Sequence, residues 1–257
     1  MHQSKTTGKK YLSKKYILQA LLLIGLILIF SIAEARAQLE SFPGTKIQIE
    51  GFVDFTTSAR VYPAPLDADP AISSFYNSFP GFFSPGGDVR VVLSRLNDLG
   101  LTAQYMTEKQ IIYSINGYNG GGQYVGVPVS DGFSVWVAEL NGYFNIPILG
   151  DRWNIYLGGG PAIYFGKRNL QIGDALASTP LVTAGGIQVS AGVSFRFTDN
   201  LGIRVEMKFR SPEFNTTSTF SSPTTNYDGL EISLPQTQYG KVNLDGDDFT
   251  LGIFWEL

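Results

Sequence analysis

Two alternating runs in the second half of the chain constrain its fold more than any other feature. Ile187, Val189, Ala191, Val193, Phe195 and Phe197 fall on one side of an extended segment, and Gln188, Ser190, Gly192, Ser194, Arg196 and Thr198 on the other. After Asp199-Asn200 the pattern resumes, with Leu201, Ile203, Val205, Met207 and Phe209 opposed to Gly202, Arg204, Glu206, Lys208 and Arg210. Period-two alternation marks β-strands, and the short break marks a tight turn. Each run is roughly ten residues long, beyond the about five or six usual in soluble sheets and matched to a bilayer crossed at a tilt of about 45°. The apolar face then meets lipid and the charged face must be enclosed. Only a closed barrel does both, because an open sheet would leave unpaired backbone groups in hydrocarbon.

The end of the chain carries the same pattern. Phe249, Leu251, Ile253, Trp255 and Leu257 alternate with Thr250, Gly252, Phe254 and Glu256, as expected of a last strand that pairs with the first. The run Thr250-Leu-Gly252-Ile-Phe-Trp255-Glu-Leu257 resembles the C-terminal targeting signal of bacterial outer-membrane barrels. It departs from that signal at Leu257, where Phe is usual, but keeps the hydrophobic character. The resemblance implies the barrel-assembly machinery as a partner during insertion.

The opposite end reads as an export signal. Lys5, Lys9, Lys10, Lys14 and Lys15 precede an apolar run from Ile17 to Ala33, and Ala35-Arg36-Ala37 supplies a small-residue cleavage site. Residues 1–37 are therefore expected to be a signal peptide, and 38–257 a single barrel domain. Residues 1–37 hold six of the 19 Lys and Arg and one of the 22 Asp and Glu, so their removal leaves a formal charge of −8. That balance argues against nucleic acid as a partner. The chain has no Cys, which excludes disulfides and thiolate metal sites.

Eight strands are expected. The first covers about Lys46–Ser58, the second Gly87–Leu96, the third Leu99–Ile115 with a bulge near 108–112, and the fourth Gly132–Ile146. The fifth covers Trp153–Phe165, with a bulge to accommodate Pro161, followed by the two runs above and the C-terminal strand. Long loops are expected at Ala59–Gly86, whose prolines argue against a central strand, and at Asn116–Asp131, Gly166–Leu181 and Ser211–Asp247. Long and short connections alternate, as in small outer-membrane barrels. By this pattern the mature chain resembles the small eight-stranded outer-membrane barrels of the OmpA/OmpX/OmpW type. The resemblance implies an all-β, transmembrane, up-and-down antiparallel barrel in the bacterial outer membrane, with lipid around it.

Glu50, Asp54, Arg90, Glu139, Arg196, Arg204, Glu206, Lys208 and Arg210 are expected to line the lumen. A barrel of eight strands holds little more than side chains, so these charges are expected to plug it with ion pairs. Glu50 or Asp54 is expected to pair with Arg204 or Lys208. Thr250, Gly252, Trp255 and Leu257 carry the assembly signal, and Trp153, Phe197 and Trp255 are expected in an aromatic girdle. No catalytic, cofactor or metal site is expected: the only His is His2, within the signal peptide, and Asp67, Asp69 and Asp245-Gly-Asp247-Asp248 read as solvated loop carboxylates. Gly158-Gly159-Gly160 lacks the Lys of a phosphate loop and is expected to leave room in the lumen. The function expected is structural or surface-interacting, with an extracellular ligand bound by the loops. The alternative is a narrow channel for small solutes or ions.

Overall fold

The computed structural model describes residues 46–146 and 152–257. The segment expected to be a signal peptide lies outside the described residues, as does most of the turn expected after Ile146. Lys46–Leu257 forms one compact unit. Eight strands close a ring through antiparallel neighbours: β1 (Lys46–Thr56), β4 (Phe82–Val92), β5 (Asn97–Tyr118), β6 (Tyr124–Ile146), β7 (Trp153–Arg168), β10 (Val182–Arg196), β11 (Leu201–Arg210) and β16 (Asp247–Glu256). Closure comes from β16, which pairs with β1 on one side and β11 on the other, so no edge is left in the ring.

The alternation sets inside and outside. Ile49, Val53, Val89, Trp136, Leu140, Leu157, Val205, Leu251 and Ile253 are exposed on the outer face, whereas Glu50, Asp54, Asp88, Arg90, Glu139, Arg204 and Glu206 are buried. Soluble packing inverts this arrangement; a lipid-facing barrel requires it. Aromatic side chains gather at both ends of the outer surface. Trp153 lies tilted against Phe195 (centroids 4.5 Å apart) and Phe195 meets Phe197 edge-on (5.2 Å) at the short-turn end, near Trp255. At the other end Phe55 meets Phe83 (5.1 Å) and Tyr105 meets Trp136 (4.7 Å).

The regions expected to be loops contain more strand than the sequence suggested. Within 59–86 lie β2 (Ala59–Tyr62), a four-residue helix α1 (Pro70–Ser73), β3 (Asn77–Phe79) and the start of β4. Pro85 sits in β4 opposite Val53, but the β4–β5 register begins only at Gly86, so Pro85 has a neighbour on one side alone. A proline, which has no N–H to give the ladder, is tolerated at such a one-sided position. Asn116–Asp131 is not a loop: β5 and β6 form one hairpin that pairs out to Tyr118 and Tyr124, with the expected register shift near Ile111. Gly166–Leu181 contains the end of β7, β8 (Gln171–Ile172) and β9 (Ala175–Leu176). Ser211–Asp247 contains β12 (Glu213–Thr219), β13 (Thr224–Tyr227), β14 (Leu230–Ser233) and β15 (Thr237–Asn243). Strands β12, β15, β2 and β3 form a separate four-stranded sheet at the long-connection end.

Pro161 is accommodated without the expected bulge. The β6–β7 register is the same at Glu139↔Ala162 and at Gly142↔Gly159, and simply lacks the two pairs between them. Gly160 lies in this gap, where a Cβ would overlap the Leu140 carbonyl oxygen. A Cβ at Gly142, on the outer face, would meet nothing within 4 Å. Gly160→Ala is therefore expected to destabilise the folded barrel by about 1–3 kcal/mol while Gly142→Ala leaves it unchanged. Urea unfolding in bilayers, read by the heat-modifiable shift on electrophoresis, measures both.

Candidate functional site

Strand β6 gives the vertical profile of the interior. Its buried residues, read from the hairpin tip toward the short-turn end, are Val125, Val127 and Val129, then Asp131, then Phe133, Val135 and Val137, and then Glu139, Asn141, Tyr143 and Asn145. The lowest layer is a charged network and the upper layers are apolar, with one ion pair between them.

In the charged layer, six buried carboxylates (Glu50, Asp54, Asp88, Glu139, Glu206, Asp248) face four buried cations (Arg90, Arg204, Lys208, Arg210) among the described residues. Arg204 Nη1 pairs with Glu50, and its Nη2 donates to Gln48 Oε1 at 2.6 Å. Arg90 pairs with Asp88 and lies 3.2 Å from Glu206, while its guanidinium stacks 3.6 Å from the Tyr143 ring centroid. Lys208 Nζ sits 3.6, 3.8 and 3.9 Å from Glu206, Glu139 and Asp54. Arg210 lies 3.2 Å from Glu139 and 2.6 Å from Asp248. Neutral donors serve the carboxylates in excess of the cations. Tyr156 donates to Glu206 at 2.7 Å, Thr102 to Asp88 at 2.8 Å and Gln104 to Asp54 at 2.7 Å; Thr250 donates to Asp54 and Thr56 to Asp248. A buried charge without such partners would cost several kcal/mol. The space left among Glu50, Asp88, Arg90, Arg204 and Lys208 is about 10 Å³, at most one water.

Inward glycines make room for this filling. A Cβ at Gly252 would overlap the Glu50 carboxylate, and one at Gly158 would stand 2.5 Å from the Tyr143 ring. Two residues of the expected assembly signal thus also belong to the lumen, Gly252 by its missing side chain and Thr250 by its bond to Asp54. The other two, Trp255 and Leu257, face outward.

Above the charges sits an apolar seal. Met106, Phe133, Val135, Val137, Ala162 and Tyr164 of the barrel wall pack against Ala59, Val61 and Phe79 from the first long connection and Phe214, Val242 and Leu244 from the last. Phe133 meets Phe79 and Phe82 edge-on, with centroids 5.6 and 5.5 Å apart. Burying each such side chain contributes about 1.5–3 kcal/mol. Arg168 then grips Asp131 through two bonds, 2.7 Å from Nε and 2.5 Å from Nη2, with both side chains buried. Beyond them Val127, Val129, Leu170, Ile172, Phe220 and Ile232 form an outer apolar cluster.

The structure brings eight of the nine expected lumen residues into one network. Arg196 instead stands at the short-turn rim, half-buried, 2.7 Å from Glu256, which also binds Lys46 at 2.5 Å and Gln48 at 2.8 Å. Asp248 is a correction. It reads as a loop carboxylate beside Asp247, yet it is fully buried in β16 against Arg210, in phase with Thr250 and Gly252. Asp131 and Arg168 are not legible in the sequence, because both fall in the segments 116–131 and 166–181 that it presents as loops. The first connection both caps and exposes: Val61 and Phe79 are buried, whereas Leu66, Phe75 and Tyr76 are exposed.

An apolar outer belt, a closed ring of eight strands and an enclosed charged core define a transmembrane β-barrel of the bacterial outer-membrane class. A solved structure agrees on the fold. The chain is similar to the outer membrane protein OprG from Pseudomonas aeruginosa, with a TM-score of 0.53 and 11% identity over 83% of this chain and 96% of that one. It is also similar to Neisserial surface protein A (TM-score 0.44, 10% identity, 82% and 98% covered) and to the outer membrane protease OmpT from Escherichia coli (0.39, 11%, 84% and 98%). No protein-family model matches the chain, and no curated protein does. The exposed apolar belt is the surface such a barrel turns to lipid.

The network makes a specific demand. Glu50→Arg or Arg204→Glu alone is expected to cost about 3–5 kcal/mol, since each leaves like charges buried together. Glu50→Arg combined with Arg204→Glu is expected to recover at least about 1 kcal/mol of the summed loss. Unfolding free energies of the two single variants and the double variant in bilayers measure this coupling.

Proposed function

We propose that the protein is a non-conducting outer-membrane scaffold that presents its long connections to partners outside the cell. The observation that carries this reading is the double closure of the interior, by the charged network with its cavity of about 10 Å³ and by the apolar seal above it. A solute path would have to break both. The β5–β6 hairpin, extended by residues 124–132 beyond its pairing with β7, fits a display role, because such a length of strand contributes nothing to spanning the membrane. Lipid contacts the exposed apolar belt, and insertion by the barrel-assembly machinery is supported by the C-terminal sequence from Thr250 to Leu257.

The residues favour a protein without catalysis. Glu50 and Glu206 line the same small space, but Arg204 holds one while Arg90 and Tyr156 hold the other. The sequence after residue 37 has no imidazole or thiol to serve as base or nucleophile.

Conductance in a planar bilayer tests the reading. The refolded protein is expected to pass no stepwise current at moderate voltage. Reproducible open-channel steps, lost when Arg204 and Glu206 are neutralised, would establish the solute channel instead.

A further inference from the structure

At the end of the molecule farthest from the short turns, two hairpins from different connections meet tip to tip. Asn119, at the tip of β5–β6, ties them together. Its Oδ1 accepts from Gly121 N at 3.1 Å and Gln123 N at 2.9 Å, and its Nδ2 donates to the Asp228 carbonyl at 3.1 Å in the β13–β14 turn. Asp228 and Gly229 both take positive φ, 48° and 79°, as a two-residue turn between paired strands requires. Asn226 Oδ1 accepts from Gly229 N at 3.1 Å and fixes that turn from within. Leu230 packs at Gly117, where a Cβ would come 2.9 Å from it. Both tips are thus held before any ligand arrives.

Between them lies an open cleft of about 640 Å³. Its lining includes Tyr124, Tyr227, Asn119, Gln123 and Asp228, and no Lys or Arg. Tyr124 is 65% exposed even though Tyr118 packs edge-on against it at 5.7 Å. Aromatic rings offer a flat surface to the C–H face of a sugar ring, while the Gln123 amide donates to its hydroxyls and the Asp228 carboxylate accepts from them; the Asn119 amide is already committed to holding the tips. The absence of cations disfavours phosphate, sulfate or uronate groups. Two rings rather than an enclosing cage, with one carboxylate, make a poor site for a quaternary ammonium.

We propose that this cleft binds an uncharged saccharide, and that it is the contact by which the barrel engages glycan outside the cell. The proposal rests on the display function above and names its ligand class.

Saturation-transfer NMR on the full-length mature protein, refolded in an amine-oxide detergent so that no sugar headgroup competes, tests it. The probes are maltose, cellobiose, lactose and N,N′-diacetylchitobiose, with glucose 6-phosphate and choline as charged controls. Transfer to the ring protons of at least one neutral disaccharide is expected, with affinity of about millimolar order. Tyr124→Ala is expected to weaken it roughly tenfold, as loss of one aromatic contact implies. Tyr113→Ala, on the same hairpin outside the cleft, is expected to leave it unchanged. The heat-modifiable shift verifies that both variants are folded. Silence toward every neutral probe, a preference for either charged control, or binding indifferent to Tyr124→Ala would overturn the proposal. A protein that binds no saccharide yet passes no current loses the ligand class and keeps the display function; one that conducts loses the display function itself.

Discussion

The enclosed charges of the lumen are what the rest of the structure depends on. A barrel of eight strands that shows lipid an apolar surface must turn its polar residues inward, into a space with almost no water to solvate them. Each carboxylate there needs a cation or a hydrogen-bond donor, and each cation needs an acceptor. The network from Gln48 to Asp248 meets that demand with side chains from every strand of the ring. Lys208 shows the principle most plainly, because its three carboxylates come from β1, β6 and β11. The ion pairs thereby act as cross-braces between strands that are not neighbours, a contribution that backbone ladders alone cannot make.

Filling and sealing the lumen are separate tasks with separate chemistry. Charges fill the part that lies within the membrane belt. Toward the long connections the inward positions turn apolar, and residues of the first and last connections fold over to bury them. The buried Asp131–Arg168 pair sits between this seal and the outer apolar cluster. Removing either partner would strand the other in an apolar environment, so the pair fixes how β6 and β7 approach each other above the barrel. The result is a rigid post whose outer hairpins are held in register by the layers beneath them.

The ring was largely legible in the sequence because strict alternation is what a lipid-facing barrel imposes. The alternation places strand β11 at its observed limits from Leu201 to Arg210, and closing the ring puts Glu50 or Asp54 within reach of Arg204 or Lys208; the structure pairs Glu50 with Arg204 and sets Lys208 3.9 Å from Asp54. The outer region was less legible. Val125, Val127 and Val129 alternate in plain view, but Pro128 and the glycines beside them carry the signature of a turn. These strands are stabilised by packing on one another and need not obey the lipid rule, so their pattern is weaker. Asp248 was misjudged for a related reason, since its acidic neighbours Asp245 and Asp247 suggested a solvated loop. Arg196 alternates with the lumen set yet lies so near the turn that its side chain reaches only the rim. The cleft at the hairpin tips depends on Asn119 meeting the Asp228 turn, a contact between distant segments that no local pattern encodes.

The absence of cysteine from the chain permits a direct test of the sealed interior. Ser190 is buried in the charged layer, opposite Gly158 and Lys208 in the ladder. With Ser190→Cys as the sole thiol, the folded protein in lipid vesicles should resist iodoacetamide for hours and react promptly once unfolded in urea. Tyr124→Cys, at the exposed cleft, should react promptly in both states. Rapid labelling of Ser190→Cys in the folded barrel would mean that water and small solutes enter the lumen, and the account of a closed scaffold would be wrong.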